Sequence, residues 1–269
     1  MSKQDAINLV NQFSSNNAMQ GAWSRVDKTA LANGLIERIN DPNRIDQAAT
    51  PFCGPTTIIR SLAMSNPVAY AQAAIDLYLR RSARVNNLVL TPGNELVGSA
   101  PPGRTNPADW IMLASLRDSQ NWFLSPGGWF GTNLAGITIP STIENWFRNT
   151  GYTQIVNDTS LSGGDIPIVK SMCAKEASNK FNQGYTVAML VDSDVLDSST
   201  QDDLFSMYPD HWIILNSTIT NVGTSNYSLP VSFQAYTWGS IRSVPQLASK
   251  PLNQSDFLNK FYGYIAARL

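Results

Sequence analysis

Cys53 is one of two cysteines in this 269-residue chain. It is followed by Gly54 and Pro55, and then by a run that is typical of a helix. Because proline is tolerated in the first turn of a helix, this spacing predicts that Cys53 lies at a helix N-terminus. The positive end of the helix dipole stabilises a thiolate at that position. Cys53 is therefore a candidate nucleophile, and the alternative is a small apolar residue that begins a helix.

A cysteine nucleophile needs a proton acceptor, which in most cysteine hydrolases is an imidazole. The chain contains a single histidine, His211, which stands between a turn-like segment at 207–210 and an apolar run that predicts a strand. A lone histidine also serves as a structural residue in many proteins. Gln47 lies six residues before Cys53, and its amide could donate a hydrogen bond to the oxyanion that forms when a thiolate attacks a carbonyl.

These three residues, in this order, carry a family resemblance. The pattern resembles that of the papain-like cysteine peptidase superfamily: Gln47 comes first, then Cys53 followed by Gly-Pro at a helix start, and then His211 at the start of a strand. The Cys-Gly-Pro form is similar to its bacterial branch of bacteriocin-processing peptidases and toxin effectors. The resemblance covers two short segments and the order of elements. It implies a papain-like fold with Gln47 in the oxyanion hole, Cys53 as nucleophile and His211 as general base.

The family also has an Asn or Asp that orients the histidine, often just before a Trp-Gly pair. Trp238-Gly239 is present here, but the matching position, two residues before Trp238, is occupied by Tyr236. Strand alternation puts Ser232, Gln234 and Tyr236 on one face, so Gln234 could accept a hydrogen bond from the imidazole. We predict Gln234 in this role, with Tyr236, Asn216 or no third residue as alternatives. Asp210 and Asp192 could supply negative charge from other directions.

The remaining sequence predicts an α+β fold in a single domain, 1–269. Leading helices occupy residues 1–45, a mainly helical part occupies 46–182, and a mainly antiparallel sheet occupies 183–269. The family resemblance implies that the helix carrying the nucleophile packs on this sheet. Residues 125–136 predict a long loop that could line a cleft. Predicted helices cover 3–14, 26–39, 55–64, 67–81, 141–149, 166–181 and part of 255–265, with another opening at Asn106-Pro107, and predicted strands lie in 185–192, 211–219 and 229–238.

Composition excludes several classes of protein. Charged residues make up 14% of the chain, against roughly 25% in average soluble domains, and the net charge is −1, so we expect no nucleic-acid partner. No long apolar run or signal-peptide core occurs, which predicts a soluble protein without membrane insertion or Sec export. One histidine and two distant cysteines make zinc improbable, and we predict no cofactor.

The leading hypothesis is a cysteine hydrolase that acts on amide bonds in a protein or peptide, as a protease or deamidase. By analogy it would be a bacterial effector or toxin, either cytoplasmic in the producer or delivered by a dedicated secretion system, with a cognate inhibitor or immunity protein as partner. The alternatives are an inactive papain-fold protein that binds a partner, or an unrelated α+β binding protein. Cys173, among Ile168, Val169 and Met172, is predicted to be a core residue.

Overall fold

The computed structural model of the protein describes residues 2–48, 50–120, 138–160, 166–196, 209–246 and 251–269. The predicted loop at 125–136 lies outside the described residues. By their internal contacts the residues form two units, one of Met1–Trp129 with Asn149–Gly151 and one of Phe130–Arg148 with Tyr152–Leu269. Helices combine with an antiparallel sheet, so the predicted α+β class is confirmed.

The first unit is mainly helical. Its helices are α1 (Lys3–Ser15), α2 (Lys28–Asn40), α3 (Cys53–Ser65), α4 (Pro67–Arg80), α5 (Asn94–Val97), α6 (Pro107–Asp109) and α7 (Ser115–Gln120). A 3₁₀ turn spans Pro42–Arg44, and a π-helical segment, Trp110–Ala114, joins α6 to α7. A short antiparallel pair that was not predicted, β1 (Ala83–Val85) and β2 (Leu88–Leu90), follows α4. The predicted helices of this part of the chain are confirmed.

Local capping explains where these helices begin. The side chain of Asp27 accepts from the Ala30 N–H at the start of α2, and Asn66 caps α4 ahead of Pro67 in the same way. Asn106 repeats the arrangement before Pro107 at the start of α6. Asparagine and aspartate satisfy open N–H groups, and proline at the first helical position has no N–H to satisfy.

Helix α3 lies at the centre of the first unit. Every residue from Cys53 to Ala63 is buried, including the polar side chains of Thr57 and Arg60. The Arg60 guanidinium is held by Asn43 Oδ1, at 3.0 Å from Nε and 2.6 Å from Nη2. This contact ties the middle of α3 to the 3₁₀ turn that precedes the loop leading to Cys53.

The second unit combines helices with a six-stranded antiparallel sheet. Its elements are α8 (Pro140–Thr150, whose last two residues belong to the first unit), β3 (Gln154–Thr159), α9 (Pro167–Asn182), β4 (Thr186–Val191), β5 (His211–Leu215), β6 (Phe233–Thr237), β7 (Ser240–Val244), α10 (Gln254–Asn259) and β8 (Phe261–Arg268). The strand order in the sheet is β3-β8-β4-β5-β6-β7. A further 3₁₀ turn covers Ser193–Val195. The predicted α8, α9, β4, β5 and β6 are confirmed, whereas β3 and β7 were not predicted.

The last predicted helix is shorter than expected, because residues from Phe261 onward form β8 instead. This strand lies between β3 and β4 and is buried from Phe261 to Ala267, so its sequence is apolar on both faces and lacks strand alternation. Gly263 has φ +102°, and a Cβ there would lie 2.1 Å from the Asp158 carbonyl oxygen of β3. Only glycine allows the two backbones to approach this closely.

A two-residue turn joins β6 to β7. Thr237 pairs with Ser240, and the intervening Trp238 and Gly239 have φ values of +43° and +68°. Positive φ at both turn residues is the geometry that matches the twist of the flanking strands. The turn therefore determines the pairing register and the positions of Thr237 and Trp238.

Candidate functional site

Cys53 is the first residue of α3, as the Cys-Gly-Pro pattern predicts. The preceding residue, Phe52, provides no side-chain cap, so the positive end of the helix dipole is directed at Cys53 without a capping oxygen from that position. Cys53 is 5% exposed and forms no disulfide with Cys173. The N-terminal end of the α3 dipole is therefore directed at a cysteine that is almost completely buried.

Arg117 supplies a cation in the surroundings of Cys53. It lies on α7 and interacts electrostatically with Cys53. Burial lowers the pKa of Arg117, and its interaction with Cys53 opposes this effect. The Phe52 ring, next to Cys53, also contacts Trp110 on the same helical stretch, at a centroid distance of 6.1 Å. Sequence reasoning missed Arg117, since nothing in the spacing of residues 64 positions apart relates the two helices.

Gln47 lies in the loop that leads to α3, and its residue is 7% exposed. Its carbonyl accepts from the Thr50 N–H at 3.1 Å and from the Thr50 hydroxyl. Its side-chain amide makes no hydrogen bond to the rest of the described chain. The amide that the resemblance assigns to an oxyanion hole is therefore in the same unit as Cys53 and is not committed to another described group.

His211 is the first residue of β5, in the second unit, where the sequence predicted a strand opening. Its Nε2 lies 2.7 Å from Thr237 Oγ1, and its ring stacks on Trp238 at a centroid distance of 4.9 Å and an interplanar angle of 21°. Burial lowers the pKa of His211 to about 4. The imidazole is therefore neutral at pH 7, which is the form that can accept a proton.

The orienting contact that we predicted for Gln234 is made by Thr237 instead. In the β5–β6 pairing Leu215 is opposite Ala235, which puts His211 on the sheet face shared with Ala235 and Thr237. Gln234 is one residue out of phase, so its side chain projects from the opposite face, where it is exposed.

The two alternatives follow the same rule. Ile214 is opposite Tyr236, so Tyr236 and Asn216 both have the parity of Gln234 rather than that of His211. The alternation pattern was correct, but the choice of face required the register between β5 and β6. A threonine directly before Trp-Gly was the signal available in the sequence.

The carboxylates of Asp192 and Asp210 accept hydrogen bonds from the 3₁₀ turn at Ser193–Val195. Both oxygens of Asp210 accept from Ser193, one from its N–H and one from its hydroxyl, each at 2.7 Å. Asp192 accepts from the Asp194 N–H at 2.9 Å. Burial raises the pKa of Asp210 and raises the pKa of Asp192 to about 6. These contacts occupy the two groups that the sequence offered as sources of charge near His211.

Cys173 is only partly buried and packs against the edge of the core, whereas the sequence predicted a position inside it. It is partly exposed in a cavity of about 470 Å³ formed by α9, the end of β3 and the start of β8, where its Sγ lies 3.6 Å from the Asp158 carbonyl oxygen. The larger apolar residues beside it are exposed: Ile168, Val169 and Met172. Helix α9 instead buries Lys170 and a set of small residues that includes Ala174 and Ala177, which allow close packing on the sheet.

No protein-family model, curated protein or solved structure matches this chain. Within the described residues, no cluster of His, Cys, Asp and Glu side chains is arranged to hold a metal ion. None of the helices in the described ranges has the length and hydropathy needed to cross a bilayer.

Proposed function

We propose that this protein is a papain-like cysteine hydrolase that acts on amide bonds of a protein or peptide, with Cys53 as nucleophile, Gln47 as an oxyanion donor and His211 as general base. Thr237 takes the orienting role in place of Gln234. The proposal requires the Cys53 thiol and the His211 imidazole to come within hydrogen-bond reach in the active protein. Delivery as a bacterial effector or toxin remains a prediction from the sequence.

The observation that carries the proposal is the position of Cys53. It begins a 13-residue helix, interacts with the cation of Arg117, and follows a loop with the buried amide of Gln47. A helix dipole and a neighbouring guanidinium both favour the thiolate over the thiol. A structural cysteine has no need of this electrostatic environment.

The reaction would proceed in two stages. Cys53 Sγ attacks the amide carbon while His211 takes up the thiol proton, and the resulting oxyanion is stabilised by the Gln47 amide and the Cys53 backbone N–H. His211 then gives its proton to the leaving nitrogen, and an acyl-thioester forms as the C–N bond breaks. Water, deprotonated by His211, attacks the thioester, so that a carboxylic acid is released and the thiol is restored.

Thr237 and Trp238 would support His211 in these steps. A hydroxyl 2.7 Å from Nε2 fixes the orientation of the ring and leaves Nδ1 for the proton transfer. Trp238 covers one face of the imidazole and excludes water from it. Because threonine is uncharged, it stabilises an imidazolium less than a carboxylate would, so we expect a weak base.

Alkylation of the two cysteines tests the proposal. Intact protein is treated with iodoacetamide at pH 7, and mass spectrometry follows modification of Cys53 with Cys173 as the internal control. Exposure alone favours Cys173, which is the more accessible of the two. Faster modification of Cys53 supports an activated thiolate, whereas slower modification of Cys53 than of Cys173 counts against the proposal.

A substrate search gives the second test. Candidate target proteins are incubated with wild-type protein, with Cys53→Ala and with the control Cys173→Ala. New termini indicate proteolysis, and a mass increase of about one dalton at Gln or Asn indicates deamidation. Products must appear with wild type and with Cys173→Ala, and must be lost with Cys53→Ala.

The second candidate function is an inactive papain-fold protein that binds a partner. The burial of both proposed catalytic residues favours it, since Cys53 and His211 are each 5% exposed. In that case Cys53→Ala keeps the full biological effect and partner binding, and no modified product is found with the wild-type protein.

A further inference from the structure

The loop that carries Gln47 is attached to a buried ion pair in the first unit. Arg38 on α2 and Asp109 on α6 form a bidentate contact, with Nε–Oδ1 at 2.7 Å and Nη2–Oδ2 at 2.6 Å. The Asp109 residue is 1% exposed and Arg38 is 5% exposed. Such a pair is costly to bury, and its net contribution to stability is often small, so it invites a functional explanation.

Asp109 also reaches the loop directly. Its Oδ2 accepts from the Asp46 backbone N–H at 3.1 Å, so one carboxylate binds both Arg38 and the residue before Gln47. Asp46 Oδ1 in turn accepts from the Ala48 N–H at 2.9 Å. Gln47 is therefore enclosed in a turn whose first residue is bound to a fixed, buried acceptor.

The contacts continue from this turn to Cys53. The Thr50 N–H donates to the Gln47 carbonyl at 3.1 Å, and the Phe52 N–H donates to the Thr50 carbonyl at 2.8 Å. Phe52 is the residue that precedes Cys53 at the start of α3. Hydrogen bonds therefore fix the backbone at several points between Asp46, which is bound to the Arg38–Asp109 pair, and Phe52, the residue before the candidate nucleophile.

Ala48 shows that the turn is held under strain. Its φ is +51°, in the left-handed region that residues with a Cβ rarely adopt. Strained backbone persists where surrounding contacts hold it in place, and it concentrates at functional sites. Asp46, through its side chain and its N–H, supplies two of these contacts.

We infer that Asp109, with Arg38, is a positioning residue that sets the orientation of the Gln47 amide relative to Cys53. This inference rests on the proposed function. Asp109 does not touch substrate; it acts through Asp46 and the turn. A loop released from this anchor would still carry Gln47, but it would not hold the amide where an oxyanion forms, and misplacement by about 1 Å is enough to reduce the rate strongly.

Two reactions of Cys53 distinguish a positioning role of Asp109 from a general role in stabilising the fold. Acylation by an activated ester passes through an oxyanion, whereas alkylation by iodoacetamide is a direct displacement that forms none. Asp109→Asn is therefore expected to slow acylation about 10- to 100-fold, with alkylation changed less than about twofold. Gln47→Ala is expected to show the same selective loss, and the double variant Gln47→Ala/Asp109→Asn no larger loss than Gln47→Ala alone.

Asp109→Asn leaves the Arg38 charge buried without its partner and could prevent folding. Asp46 provides a second route, because its side chain is only partly buried. Asp46→Ala removes the acceptor for Ala48 and is expected to reduce acylation selectively, while Asp46→Asn keeps an oxygen there and is expected to restore it. Circular dichroism confirms that each variant is folded before rates are compared.

Each result has one interpretation. If wild-type Cys53 is not acylated, the proposed function fails. If Gln47→Ala reduces acylation but folded Asp46→Ala and Asp109→Asn do not, only the positioning inference is overturned. It is also overturned if these variants slow acylation and alkylation equally, or if the double variant shows the full product of the two separate losses.

Discussion

The single imidazole of the chain, on His211, lies with its Nε2 2.7 Å from the Thr237 hydroxyl oxygen. Both groups are buried, so this contact determines which ring nitrogen remains for chemistry and how the neutral ring is oriented. Replacing Thr237 with valine keeps the shape of the side chain and removes its hydrogen bond.

Thr237→Val is expected to lower the free energy of unfolding by about 1 to 3 kcal/mol, because a buried ring nitrogen loses its partner. Thr237→Ser keeps the hydroxyl and is expected to lose less. Urea unfolding measures both variants, and ¹⁵N chemical shifts of the imidazole report the tautomer. Equal stability of Thr237→Val and wild type would show that the hydrogen bond has no energetic importance.

The pH dependence of stability follows from the lowered pKa of His211. Burial lowers this pKa from 6.5 to about 4, so between these values the unfolded chain binds a proton that the folded protein does not. The His211 contribution is therefore fully present above pH 6.5, and it is lost as pH falls toward 4, by on the order of 3 kcal/mol.

Comparison with His211→Gln isolates this contribution. Burial raises the pKa of Asp192 to about 6, so Asp192 makes the folded protein more stable as pH falls, which is opposite to the effect of His211. The Asp192 contribution is present in both proteins and cancels when their unfolding free energies are subtracted. Unfolding free energies of wild type and His211→Gln are measured from pH 4 to pH 8, and their difference is plotted. A difference that does not change with pH would contradict the prediction.

Arg117 is expected to control the reactivity of Cys53. In a Cys173→Ala background, Arg117→Gln should slow alkylation of Cys53 at pH 7 about 3- to 10-fold, since a cation near the thiol favours the thiolate. Arg117→Lys keeps the charge and should retain most of the rate. The pH profile of alkylation provides the measurement, and identical profiles for Arg117→Gln and wild type would exclude this electrostatic role.

Gly263→Ala is expected to destabilise the protein by about 3 kcal/mol or more. Its φ is +102°, and the added Cβ would lie 2.1 Å from the Asp158 carbonyl oxygen, so strain and a backbone clash add together. Gly184 is the matched control, because it has φ +82° with nothing within 4 Å of the added Cβ. Gly184→Ala should lower the free energy of unfolding by about 1 kcal/mol.

Urea unfolding of the two variants under one set of conditions separates strain from steric overlap. The prediction is the difference between them rather than either value alone. If Gly263→Ala is no less stable than Gly184→Ala, the close approach of β3 and β8 is not a constraint on the sheet.

The helices could be predicted from the sequence because their signals are local. Asn66-Pro67 and Asn106-Pro107 each combine a capping side chain with a residue that needs no N–H, and both start a helix as expected. The start of α3 was predicted from Pro55 alone, without a capping side chain. Strand β8 could not be, because a strand buried on both faces has no alternation, and its partners β3 and β4 are distant in sequence.

The candidate site was predictable in its types of residue but not in its contacts. Alternation separates Gln234 from Thr237 correctly, yet only the pairing of Leu215 with Ala235 shows which of them shares a face with His211. Arg117 and Asp109 have no motif at all. Their importance comes from tertiary packing, which a single sequence does not reveal.

Thr237 and Trp238 are neighbours at the end of one tight turn, so the edge and the face of the imidazole are contacted by a single hairpin. A fluorophore, affinity tag or inserted peptide at 238–239 would consequently disturb both contacts at once. Labels for single-molecule or imaging work belong instead beside open turns such as those at Gly103 or Gly184, with the glycines themselves kept because their φ values are +55° and +82°.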